Sequence, residues 1–158
     1  MRDGNVRFNR LLVMGTLVTT LVACSDDDGK ETASADTFCQ TARAAEESVT
    51  AQQELFAVED VPTPQSVQPV AEQFAANVGA MAAAAPAEIR AEANVMNSAA
   101  QQLLDVVRSN GFDVATLIDK PEFIALTETL TSPEFENAQK AVGDYAAAKC
   151  GVGDTSGG

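Results

Sequence analysis

The sequence contains no histidine. That absence removes Ser-His-Asp and Cys-His nucleophilic catalysis, histidine-containing zinc and di-iron sites, and haem held by histidine. Basic residues are also scarce. Ten lysines and arginines stand against 23 acids over 158 residues, a net charge of −13. Such a surface repels nucleic acid and anionic headgroups, so neither is an expected partner. Tryptophan is absent and tyrosine occurs once. No glycine-rich phosphate loop follows a strand, because no convincing strand is present. Alanine dominates the body of the chain and runs of β-branched residues are missing.

Carboxylates are the one general catalytic chemistry left. A pair of them can hydrolyse a glycosidic bond, but Glu46 and Glu47 are adjacent on a predicted helix and point in different directions. Nothing marks another acid as buried, so the acids read as solvated helix faces. A carboxylate-dependent glycan hydrolase is therefore a remote alternative, and no residue is assigned a catalytic role. Asp26-Asp27-Asp28-Gly29 has the composition of a calcium loop without its spacing. With Gly29 in the sixth place the first ligand falls on Cys24, and no glutamate follows in the twelfth. No metal or cofactor is expected.

The N-terminus carries an address. Arg2, Arg7 and Arg10 form a positive segment, and Leu11 to Val22 is an apolar run broken only by Gly15 and three threonines. The run falls short of the roughly 20 apolar residues that span a bilayer, and it has the flanks of a secretory signal peptide. It closes with Leu21-Val22-Ala23-Cys24, which resembles the lipobox of bacterial lipoproteins. The resemblance implies cleavage before Cys24 and a diacylglycerol thioether on that cysteine. Residues 1–23 hold three arginines and one aspartate, so the chain from Cys24 onward keeps seven basic and 22 acidic residues, a net charge of −15. Membrane attachment would then come from lipid and not from a basic patch, with two or three acyl chains to make it stable. The expected location is the extracytoplasmic face of the cell membrane. Residues 24–35 are polar and acidic and read as a flexible tether, and 151–158 as a frayed tail.

The 135 residues from Cys24 fit a single domain. A first helix is expected from a cap at Asp36 to about Ala57, with Phe38, Ala42, Ala45, Val49 and Phe56 on one face. Thr63-Pro64 starts a second, with Val67, Val70, Phe74, Val78 and Met81 inward. Pro86 favours a turn over a kink, and a third helix carries Ile89, Met96, Ala100, Leu103 and Val107 to an Asn110-Gly111 stop. Asp113 caps a short turn through Ile118, and Pro121 opens a short helix. Ser132-Pro133-Glu134 starts the last helix, in which Phe135, Ala138, Val142, Tyr145 and Lys149 share a face and Cys150-Gly151 forms the end. The expected fold is all-α: a four-helix bundle over 36–150, with a short helical insertion before the last helix.

Two cysteines remain beside Cys24, namely Cys39 and Cys150. In an oxidising compartment an even count reads as a disulfide; the alternatives are two buried thiols or a bond between chains. The layout supports the internal bond, because four antiparallel helices bring the start of the first and the end of the last to the same end.

Met81 and Met96 fall on inner faces, where methionine fills core gaps or lines an apolar pocket. The stretch 111–131 is dense in apolar groups and broken by Pro121. It is either a cap over one end of the bundle or a lid over an apolar groove, with Phe112, Leu117, Phe123, Leu126 and Leu130 as its candidate lining.

Phe38-Cys39, Ala85-Pro86-Ala87-Glu88-Ile89 and Lys149-Cys150-Gly151 are together similar to the small, alanine-rich, disulfide-closed helical lipoproteins of actinobacteria. The resemblance implies an all-helical domain outside the plasma membrane and carries over no catalytic residue. The expected role is a non-enzymatic, membrane-anchored module that binds or organises an envelope protein; the alternative is a carrier of a small apolar ligand.

Overall fold

The computed structural model describes residues 28–57 and 61–152, with side chains from Ala35 onward. The expected signal peptide, the lipidation site Cys24 and the tail from residue 153 lie outside the described residues. Among those described, every regular element is helical: α1 (Asp28–Phe56), α2 (Pro64–Ala83), α3 (Arg90–Ser109), a 3-10 turn (Val114–Thr116), α4 (Pro121–Leu130) and α5 (Pro133–Cys150). Among the described residues no helix is long and apolar enough to cross a membrane.

Helix starts follow the local chemistry. Thr63 Oγ1 accepts from the Ser66 N–H at 3.4 Å, with Pro64 in the first helical position. Ser132 Oγ accepts from the Phe135 N–H at 3.3 Å ahead of Pro133, and Asp113 Oδ1 accepts from the Ala115 N–H at 3.2 Å. Each satisfies an amide that the first turn leaves without a partner. The glycine stops hold as well. At the end of α3 the Phe112 N–H bonds the Val107 carbonyl at 2.7 Å and the Gly111 N–H bonds Arg108 at 3.0 Å, a Schellman motif with Gly111 at φ 64°. Pro86 makes a turn, closed by the Ile89 N–H on the Pro86 carbonyl at 3.2 Å.

Four expectations need correction. α1 begins at Asp28, not at Asp36, and takes in most of the expected tether; residues 28–35 hold no proline and one glycine, so nothing in them stops a helix. Val152, placed in the frayed tail, is buried, because Gly151 at φ 63° turns the chain back onto the core. Lys149 is exposed, off the inner face of α5. Val49 and Phe56 lie on the apolar stripe of α1 but are exposed, for a reason that the packing supplies.

α1 packs on α2, α2 on α3, and α3 on α5, while α4 lies against α3 and α5. Side-chain amides tie the first pairs: Asn77 Nδ2 donates to the Ala44 carbonyl at 2.9 Å, and Gln101 Nε2 to the Ala75 carbonyl at 3.3 Å. α1 and α5 are tied at one end. There Cys39 and Cys150 form the disulfide, with their Cα atoms 5.2 Å apart. Arg43 donates to the Cys150 carbonyl at 3.0 Å, a cation at a helix C-terminus where the dipole favours it.

The core is in two parts. The near part surrounds the disulfide and holds Phe38, Met81, Ile89, Val142 and a group of alanines. The far part holds Val67, Leu104, Val107, Phe112 and Leu117. Phe112 sits at φ 62°, a left-handed conformation that costs a non-glycine residue roughly 1–2 kcal/mol. Burying its ring against the far core offsets this by about 1.5–3 kcal/mol.

Candidate functional site

Two apolar cavities lie against these two parts of the core. The larger, about 700 Å³, opens between α1 and α5 beyond their tied end. Glu46 and Val49 of α1 form one flank and Gln139 and Gly143 of α5 the other, with Phe74, Met81 and Met96 behind. α5 does not close over this stretch of α1, which is why Val49 stays exposed. The smaller cavity, about 470 Å³, lies at the far end of α1. Leu55 and Phe56, Val61 and Pro62, Val67 and Val70 face Leu117, Ile118 and Phe123 across it. From Cys39 to Phe56 is about 25 Å along the helix axis, so the disulfide and the second cavity sit at opposite ends of the domain.

The lining chemistry is restricted. Among the described residues, Glu46 is the only charged one on either cavity, Gln52 is the only polar side chain on the smaller one, and neither wall carries lysine or arginine. Such cavities fall within the roughly 300–1,000 Å³ range of small-molecule sites, which are lined mainly by apolar groups with a few polar ones for orientation. Among the described residues no group of three acids or cysteines is placed to hold a metal ion.

The five residues expected to line one groove are divided by the structure. Leu117 and Phe123 line the smaller cavity and Leu130 the larger. Phe112 and Leu126 are buried and line neither. The segment carrying them is fixed at its start by polar contacts. Asn110 Nδ2 donates to Glu122 Oε1 at 3.3 Å. A hydrogen bond from its own backbone, then this one from Asn110, holds the exposed Glu122 carboxyl below the usual carboxylate range. Met81 is both core and cavity wall, and Met96 is a half-buried wall residue.

The facing wall of the smaller cavity, from Gln52 to Val70, was missed in the sequence. Its signal was the apolar stripe of α1 continuing past Gln52 to Phe56. No protein-family model, no curated protein and no solved structure matches this chain.

Gly143 has no structural need to be glycine. It lies on an exposed stretch of α5, its φ is not positive, and a Cβ built there would meet nothing within 4 Å. Gly143→Ala is expected to raise stability by about 1 kcal/mol, the helix-propensity difference between the two residues. A urea melt reads this directly, and a loss of stability would show that the α1–α5 opening is tighter than its geometry.

Proposed function

We propose that this chain is an extracytoplasmic lipoprotein, held to the membrane through lipid on Cys24, whose helical domain carries an apolar ligand. In this reading the four long helices act as a bundle, with residues 112–130 inserted as part of the cavity wall. One observation carries it. Five large apolar side chains are exposed among the described residues, and four of them rim the two cavities: Val49 at 41%, Phe56 at 56%, Val61 at 67% and Ile118 at 71%. Single exposed apolar residues are ordinary, but their grouping at openings marks a binding surface. The reading is non-enzymatic. A glycosidase needs two carboxyl groups across its substrate, and among the described residues these walls hold one.

Native mass spectrometry of residues 25–158, exported through an oxidising compartment and purified without detergent, tests the carrier. Extra mass that leaves on denaturation is the expected result. A bare protein that also takes up no hydrophobic dye would sink the carrier and leave the second reading, a docking module for an envelope protein. That reading is favoured by Ile124, exposed and on neither cavity. The anchor has its own test: Cys24→Ala should abolish incorporation of an alkyne-tagged fatty acid, and a retained label would remove the anchor from the proposal.

A further inference from the structure

The two cavities have one wall residue in common. Leu103, half-buried on α3, lines both of them. It packs against the far part of the core, and the alanines beside it, Ala99 and Ala100, belong to the larger cavity alone. Among the described residues Leu103 is thus the one side chain shared by the space at the α1–α5 opening and the space at the far end of α1.

Polarity runs in one direction across this divider. The larger cavity has a carboxylate, Glu46, at its rim, and Gln139 opposite. Among its described residues the smaller has no charge and one amide. From Glu46 to Leu55 is about 14 Å along α1. A ligand that used both spaces would place a polar end at Glu46 and a long apolar chain past Leu103. With no lysine or arginine among the described residues of either wall, a net charge of −15 from Cys24 onward and a carboxylate at the polar end, an anionic headgroup is repelled. A hydroxyl can instead donate to Glu46.

We propose that the two cavities are one passage for an uncharged single-chain lipid with a hydroxyl head, and that Leu103 sets the chain length it accepts. This rests on the ligand-carrier reading above and adds the ligand class and the selecting residue.

The test uses residues 25–158, which keep every described residue, with straight-chain 1-alkanols of increasing length as probes and the matching fatty acids as charged controls. Each methylene taken out of water strengthens binding about fourfold. Affinity should climb at that rate with chain length and then level off where the passage is full. Leu103→Trp should move the levelling point to shorter chains while short alkanols bind as before, and Leu103→Ala should raise long-chain affinity. Ala115→Trp, at an exposed position on the smaller cavity, should shorten the accepted chain in the same way without touching the core. Fatty-acid anions should bind at least tenfold more weakly than alkanols of equal length at neutral pH. A levelling point unmoved by all three substitutions would overturn the role of Leu103 and leave the carrier standing. Equal binding of the anions would overturn the assigned headgroup. No alkanol binding by the unaltered domain would overturn the carrier reading itself.

Discussion

Replacing Cys39 and Cys150 together by serine is expected to lower stability by about 4–5 kcal/mol. The bond spans 111 residues of sequence, so it encloses nearly the whole described domain. Without it the unfolded chain regains the freedom of that loop. The weight of such a term depends on what else holds the fold, and here the rest is thin. Alanine fills much of the near core, and net stabilities of single domains are only about 5–15 kcal/mol. The bond also fixes the one place where α1 and α5 are tied, beside the Arg43 contact to the Cys150 carbonyl. Urea denaturation with and without a reductant, compared with the double serine variant, measures the effect. The unaltered reduced domain and the variant should agree, and both should unfold at a much lower midpoint. A difference under about 1 kcal/mol would mean that the reduced chain stays compact enough to lose nothing by being opened.

The helix starts and stops after α1 were legible in the sequence because their causes are local, whereas the start of α1 was not. Thr63-Pro64, Ser132-Pro133 and Asp113 each cap with their own side chain, and Gly111 and Gly151 end helices through their own positive φ. The disulfide was legible for a different reason: two cysteines lie beyond the expected lipidation site, and the order of helices brings them together. What could not be read was which apolar residues would find a partner. Phe38, Ala42, Ala45, Val49 and Phe56 form one stripe on α1, yet the first three are buried and the last two exposed. Periodicity reports the face of a helix and not whether another helix lies opposite. The cavities arise from that gap. Their walls join residues from α1 through α5 that are distant in sequence, and no spacing within one helix announces them. The segment 112–130 was singled out for its density of apolar groups, and Leu117, Phe123 and Leu130 line a cavity. Density alone could not show that Phe112 and Leu126 turn inward to the core.

The same alanine content that makes the domain depend on its disulfide makes one side chain disproportionately important. Phe38 has no exposed surface and is the largest side chain fully buried among the described residues. Phe38→Ala is expected to cost about 3–5 kcal/mol. The upper part of that range is favoured by its surroundings. The penalty for a large-to-small change grows with the void that remains, and a void shrinks only if neighbours can reach into it. Ala42, Ala45, Ala82 and Ala85 share its part of the core, and a methyl group has no rotamer that extends. Tyr145 meets the Phe38 ring edge-on at 5.5 Å, a contact worth about 0.5–1.5 kcal/mol that is lost as well. Phe38→Leu keeps much of the volume and should be considerably milder, so the pair separates lost space from lost aromatic contact. Equilibrium unfolding with the disulfide intact keeps the reference state the same for both. If Phe38→Ala cost less than about 2 kcal/mol, the near core would have to relax around the gap, which an alanine-lined site has little means to do.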